Sequence, residues 1–132
     1  MPVTQNFTAR RNATWAPQLV YDYRGGPLPL AGGHIAMQLR LYPGQPYDAV
    51  LTLNPIPFTD EHVSGAGADE VRRLTLSPSI SADQLLNLPG LHTPEIGDSQ
   101  IFADDIRITY ADGVSEVLSA GLFTLKPGVT TV

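Results

Sequence analysis

Alternating apolar and polar side chains in residues 34–42, HIAMQLRLY, restrict the fold of this chain more than any other feature of its sequence. Ile35, Met37, Leu39 and Leu41 share one side of an extended backbone, and mostly polar residues occupy the positions between them. A period of two is typical of a strand that buries one face in a core and turns the other face outward. We therefore expect these residues to form a strand of a layered β protein.

Three more segments, 14–23, 47–53 and 71–77, have the composition of strands. The first of them also alternates, though less clearly than residues 34–42, and carries its aromatic side chains on a single face. The turn sequence PGQP lies between 34–42 and 47–53, so we expect these two strands to pair antiparallel.

A change of period between residues 78 and 90, PSISADQLLNLPG, indicates a helix. Ser81 and Gln84 have the spacing of a capping box, in which each side chain bonds to the backbone N–H of the other residue. Leucines follow, and Pro89 with Gly90 then ends the pattern. We expect one short helix at about residues 81–88.

The segment 104–125, DDIRITYADGVSEVLSAGLFTL, is predicted to form a β-hairpin. A two-residue type I′ turn at Asp112-Gly113 places Ile108 opposite Val117 and gathers apolar residues on one face. A three-residue loop would instead bring Glu116 to the Ile108 side, which conflicts with a buried face. We therefore expect the two-residue turn.

Asp104 and Asp105 begin this hairpin. Successive residues of a strand point to opposite faces, so these two carboxylates are not expected to act together as an acid and a base. We interpret the acids of the chain as turn residues and solubilising residues.

Twelve Gly and twelve Pro residues are distributed along the 132 residues, and cysteine is absent. Turn residues spread between short apolar runs are typical of a sandwich or barrel. We predict a single domain, 1–132, that is all-β: an antiparallel Ig-like β-sandwich of about 7–8 strands with one short helix. The segment 54–70 lacks a regular pattern and is predicted to be a long loop. Loops of this length without secondary structure are usually functional, so we expect a functional role for it.

The net charge of -5, from 8 basic and 13 acidic residues, argues against a nucleic-acid partner. No apolar run begins the chain, so no signal peptide is expected. No stretch approaches the roughly 18 apolar residues of a spanning helix, so no membrane span is expected.

Recognisable catalytic or metal-binding motifs are missing from the sequence. His34, His62 and His92 share no local spacing, and we interpret them as surface residues rather than metal ligands. The acids around HVSGAG do not have the spacing of an EF-hand, and neither a nucleophile elbow nor a P-loop occurs. We therefore expect no catalytic, cofactor-binding or metal-binding residue, and a protein that is not an enzyme.

Two alternatives stay open at this stage. A carbohydrate- or ligand-binding module would expose Trp15, Tyr21 and Tyr23 on a concave face, although aromatics on an inward strand face are usually core. A small hydrolase would place Asp104 or Asp105 in a cleft within hydrogen-bond reach of a second carboxylate or a histidine.

Three stretches of the chain resemble the β-sandwich domain found at the N-terminus of phage upper-baseplate proteins and in small stand-alone tail proteins of tailed phages. They are residues 7–40, 81–89 and 105–130. The first contains an R-x-x-T-aromatic beginning and a P-L-x-L-x-G connector, at Arg11, Thr14, Trp15, Pro27, Leu28, Leu30 and Gly32. The last resembles a D-G…G-x-F-T-V-x-P-x-V-T ending, at Asp112, Gly113, Gly121, Phe123, Thr124, Pro127, Val129 and Thr130, with Leu125 in place of the common valine.

The resemblance implies a non-enzymatic structural protein of a phage virion, in the tail tip, the baseplate or the tail-fibre attachment region. Its partners would be other tail or baseplate proteins, with several symmetric copies in the particle. It would be made in the host cytoplasm and reside in the virion tail. The residues expected to contact neighbouring proteins lie beside the PGQP turn, in segment 54–70 and in the last residues of the chain: Tyr42, Tyr47, Phe58, Asp60, Glu61, His62, Val129 and Val132.

Overall fold

The computed structural model of the protein describes residues 3–46, 48–90, 95 and 97–129. Within them the chain forms nine strands, one α-helix and a one-turn 3-10 helix, Gly67–Asp69. The strands are β1 (Val3–Thr4), β2 (Phe7–Arg10), β3 (Leu19–Arg24), β4 (His34–Arg40), β5 (Leu51–Leu53), β6 (Phe58–Ser64), β7 (Val71–Leu76), β8 (Gln100–Thr109) and β9 (Ser115–Lys126). The α-helix, α1, is Ala82–Leu86.

The strands form two sheets. The larger sheet has the order β1-β9-β8-β4-β5, with β2 also paired to β9, and the smaller sheet has the order β3-β7-β6. Apolar side chains from both sheets lie in one buried cluster, so the prediction of an all-β sandwich with one short helix is confirmed. None of the helices in the described ranges is long and apolar enough to cross a membrane.

The aromatic residues that the sequence assigned to the core are found there. Trp15 is buried and makes edge-to-face contacts with Phe7 at 5.3 Å and with Phe123 at 5.1 Å between ring centroids. Tyr21 and Tyr23 are half-buried and pack against the same cluster. Such contacts stabilise a core beyond the area that the rings bury.

The N-terminal strands depart from the expected antiparallel arrangement. Both β1 and β2 pair parallel with β9, in a register that joins Phe7 to Phe123. They cover the edge of the longest strand, where unpaired backbone groups would otherwise face solvent. These two strands and β6 raise the number of strands above the expected 7–8 in the part of the chain that is described.

Segment 54–70 contains a strand, so the prediction of a long loop was wrong. β6 pairs antiparallel with β7, with a bulge between His62 and Ser64. The inward positions of β6 include Asp60 and His62, and these polar residues hide the alternation on which a sequence-based assignment depends.

The β8–β9 hairpin has a three-residue loop, so the predicted two-residue turn was also wrong. Gly113 donates to the carbonyl of Tyr110 at 2.9 Å and has a φ of 89°, a left-handed conformation that favours glycine. A type I turn followed by a left-handed residue is the usual geometry of such loops. Ile108 therefore lies opposite Glu116 rather than Val117, and a bulge in β9 at Leu118 restores the expected register at Ile106.

The Glu116 side chain does not enter the core in this register. It stays exposed and accepts a hydrogen bond from the hydroxyl of Tyr110 at 3.0 Å. Glu116 lies at the end of the sandwich, where its carboxylate reaches solvent. A three-residue loop therefore does not bury Glu116, contrary to the expectation from the sequence.

Helix α1 begins as the sequence predicts. The Ser81 hydroxyl accepts from the Gln84 backbone N–H at 3.1 Å, and the Gln84 side chain accepts from the Ser81 backbone N–H at 3.0 Å. Both bonds of the capping box are thus present. Leu85 is the buried residue of this helix and joins the core.

Candidate functional site

A shallow depression of about 680 Å³ lies on the larger sheet. We call the side of this sheet that points away from the smaller sheet the outer face. Ala103 and Ala120 occupy its centre, on the two neighbouring strands β8 and β9, and the backbone of Gly121 borders them. The short side chains leave a hollow because the residues around them are larger.

The walls of the depression combine polar and apolar groups. Gln38, Arg40 and Asp105 line it on β4 and β8. The Arg40 guanidinium donates to the side-chain oxygen of Gln38 at 3.1 Å and to the backbone carbonyl of Gln45 at 3.2 Å. These bonds hold the guanidinium beside the hollow and connect it to the PGQP turn.

Three large apolar side chains are exposed on or beside the outer face. Tyr42 is 53% exposed and Leu122 is 46% exposed, and both line the depression. Ile101, on the strand next to Leu122, is 51% exposed. No element among the described residues covers them, so they form an exposed group of apolar side chains on this face.

The outer face is also the basic part of an acidic chain. Four of the eight Lys and Arg residues and one carboxylate project from it, so its formal charge is +3. Because the net charge of the chain is -5, all other residues together carry a formal charge of -8. Alternation along each strand brings these cations to one face, although they are far apart in the sequence. They are Arg10, Arg40, Arg107 and Lys126, and the carboxylate is Asp105.

The outer side of the smaller sheet has a different character. Asp22 and Arg73 lie opposite each other on β3 and β7 and form an ion pair with a separation of 2.9 Å. Val20 is exposed on the same side, but the cross-strand ion pair beside it makes this side a solvated surface.

The predicted contact residues occupy several different environments. Tyr42 lines the depression, and Val129 is 95% exposed at the end of the described chain. Phe58 is half-buried against the core, whereas Glu61 is exposed on β6. Tyr47 and Val132 lie outside the described residues. The structure therefore does not bring the other six residues together as one surface.

The side chains of Asp60 and His62 make polar contacts with other residues of the chain. Asp60 accepts a hydrogen bond from the Tyr23 hydroxyl at 2.8 Å and pairs with Arg72 at 3.4 Å. The His62 ring nitrogen Nε2 lies 2.9 Å from the carbonyl oxygen of Gly65. Burial raises the pKa of Tyr23, and its hydrogen bond to Asp60 raises it further. These contacts stabilise the end of the smaller sheet.

Asp104 is the feature that the sequence interpretation missed. Its side chain shares the inward face with Ile106 and is only 5% exposed, and neither carboxyl oxygen has a hydrogen-bond partner among the described residues. Burial raises its pKa to about 7, and the neighbouring charge of Asp105 adds to the effect. The alternation of the hairpin predicted the inward position, but the acids of the chain had been assigned to turns and to solvent.

Asp104 has no catalytic partner among the residues that the structure describes. It lies opposite Leu39 and Gly121 in the two neighbouring strands, and general acid–base chemistry needs a second group within hydrogen-bond reach. Among the described residues, no three His, Asp or Glu side chains lie close enough together to hold a metal ion.

Comparisons with protein-family models and with curated proteins find no match for this chain.

Proposed function

We propose that this chain is a non-enzymatic structural protein of a phage virion. It acts as an assembly module in the tail tip, the baseplate or the tail-fibre attachment region, where it joins neighbouring tail proteins. The motifs at the two ends of the chain support the phage assignment through their resemblance to upper-baseplate domains. The outer face supports the assembly role.

The exposed apolar depression on the outer face is the observation that carries this proposal. Leu122 and Tyr42 line a hollow together with two alanines, and Ile101 is exposed on the neighbouring strand. Interfaces place such apolar centres within a polar rim. Binding energy comes from burying these side chains, whereas the cations around them steer the encounter and select the partner.

Incorporation into particles tests the proposal. Leu122→Arg puts a charge into the lining of the depression, and Val20→Arg makes the same change at a comparably exposed valine on the smaller sheet. A phage lacking the natural copy of this coding region is complemented with each variant, and purified particles are immunoblotted. We expect Leu122→Arg to be lost from particles and Val20→Arg to be retained. Normal incorporation of Leu122→Arg, or absence of the natural protein from particles, would refute the proposal.

A free-standing saccharide-binding module is the second candidate function. The exposed Tyr42 lines the same depression as Gln38 and Asp105, and an aromatic ring combined with polar side chains suits a sugar. The burial of Trp15 and the partial burial of Tyr21 and Tyr23 count against it. Glycan-array binding that disappears in Tyr42→Ala would favour this second candidate.

A further inference from the structure

We propose that the outer face binds a second copy of this same chain, which inserts the tip of its β8–β9 hairpin into the depression. The inference rests on the proposed function, because it names the partner of the same face. It also explains how identical copies would be arranged in a particle.

Charge complementarity is the first argument. The outer face carries a formal charge of +3 in a chain of net charge -5, so the remaining surface of every copy is acidic. A face-to-face dimer would bring Arg40 and Arg107 of one copy towards the same cations of the other. Contact between the basic face of one copy and an acidic part of the next is electrostatically favoured.

The hairpin tip has both properties that the depression requires. Val114 is 54% exposed at the tip, and the exposed carboxylates of Asp112 and Glu116 flank it. The hollow itself is lined by Arg40 and Asp105, and the other cations lie elsewhere on the same face. An apolar side chain between two acids therefore matches an apolar hollow on a face whose formal charge is positive. The tip is also preorganised, because Asp112 accepts a hydrogen bond from the Val114 N–H at 3.0 Å and the three-residue loop is closed by backbone bonds.

The surroundings of the tip strengthen this match. The connection between β6 and β7 lies at the same end of the sandwich, because Gly25, just after β3, donates to the Glu70 carbonyl at 2.7 Å and Glu116 shares a cleft with Tyr23 and Arg24. Asp60 and Glu70 are paired with Arg72 at this end, whereas Asp69, Asp112 and Glu116 are exposed carboxylates and Arg24 is an exposed guanidinium group.

A tip-into-face contact is heterologous, since the two copies use different surfaces. Repeating it produces either a closed ring or an open filament. Each copy then contributes one hairpin tip to one neighbour and one outer face to another. Variants of the tip and of the face can therefore be tested separately with purified protein.

Sedimentation velocity on the purified chain at about 25 mM and about 500 mM salt provides the test. We expect concentration-dependent association that weakens about tenfold at the higher salt, because screening reduces the charge attraction. Leu122→Glu abolishes binding by the outer face, and Val114→Arg abolishes binding by the hairpin tip. Each variant alone should therefore be a monomer. Their equimolar mixture should form a one-to-one dimer, since one variant keeps its tip and the other its face.

Val20→Arg is the control and should associate like the natural protein, and circular dichroism verifies the fold of each variant. A natural chain that is monomeric at both salt concentrations overturns the inference, as does association that persists in Leu122→Glu. Failure of the mixture to form the dimer also overturns it, because the tip is then not the occupant. Particle incorporation tests the proposed function separately: loss of Leu122→Arg from particles with a monomeric natural chain leaves that function standing.

Discussion

The guanidinium of Arg11 donates to the backbone carbonyl of Leu88 at 2.6 Å, which joins the N-terminal segment to the end of helix α1 across 77 residues. It also donates to the carbonyls of Leu85 at 3.1 Å and Pro89 at 2.8 Å. Carbonyl groups at a helix C-terminus lack intrahelical partners. Arg11 is buried and satisfies them, and burial lowers its pKa.

Arg11→Ala should lower the free energy of unfolding by about 2–4 kcal/mol, because the carbonyls of Leu88 and Pro89 lose their hydrogen bonds from the buried guanidinium. Arg11→Lys should recover only part of this loss, since a single ammonium group cannot bond to several carbonyls as the planar guanidinium of arginine does. Urea unfolding measures both. Arg10→Ala is the control at the exposed neighbouring position, with an expected change within about 0.5 kcal/mol. Equal effects at the two arginines would contradict the described role of Arg11.

Asp104 should make the protein less stable as the pH rises. Burial raises its pKa from 3.8 to about 7, so between these values the folded state keeps a proton that the unfolded state releases. The stabilisation is complete below the unfolded pKa and is lost as the pH rises through about 7. Asp104→Asn should therefore stabilise the protein relative to the natural chain more at pH 8 than at pH 5, by at most about 3 kcal/mol.

Urea unfolding at the two pH values measures this difference, and Asp22→Asn is its control. Its hydrogen bond with Arg73 lowers the pKa of Asp22, so the stability that this carboxylate contributes is lost only below its ordinary pKa. The effect of Asp22→Asn should be the same at pH 5 and pH 8. An effect of Asp104→Asn that is equally independent of pH would show that Asp104 is not a buried carboxyl.

Gly121→Ala should separate the N-terminal strands from β9. A Cβ at Gly121 would lie 2.1 Å from the carbonyl oxygen of Gln5, and backbone cannot move aside as a flexible side chain does. We expect a loss of about 2–3 kcal/mol in unfolding free energy. Faster hydrogen exchange at the Gln5 N–H, which bonds to the Ala120 carbonyl at 3.1 Å, should accompany it.

Gly26→Ala is the matched control, because its Cβ would meet nothing within 4 Å. That change should be neutral or slightly stabilising. If both glycine variants unfolded at the same denaturant concentration, the close approach of Gln5 to β9 would be wrong.

Local patterns of the sequence were sufficient for much of the fold. Alternation in residues 34–42 predicted β4 and its buried face, and the spacing of Ser81 and Gln84 predicted the beginning of α1. These features depend on contacts between residues close in sequence, or on one strand having a single buried face. Strand and helix signals of this kind are visible without knowledge of the partner elements.

Other features depend on which strands become neighbours. β6 was missed because its inward Asp60 is satisfied by Tyr23 and Arg72, residues of two other strands. The hairpin register was missed because the sequence does not reveal that Glu116 can leave the core at the end of the sandwich.

The basic outer face could not be foreseen for the same reason. Its cations come from four strands that are distant in sequence, so the overall charge of -5 concealed them. Only the pairing of the strands places Arg10 beside Lys126 and Arg40 beside Ala103. The candidate site is thus a product of sheet topology rather than of any local motif.

Thiol labelling of intact particles tests the assembly role of the outer face most directly. The chain has no cysteine, so Leu122→Cys and Val20→Cys each provide a single reactive site, both exposed in the isolated protein. We expect a maleimide to label both variants in dilute solution, where copies of the chain are dissociated, but in purified particles to label only the variant at position 20. Equal labelling of the two variants in particles would contradict the assignment of the outer face as the assembly surface.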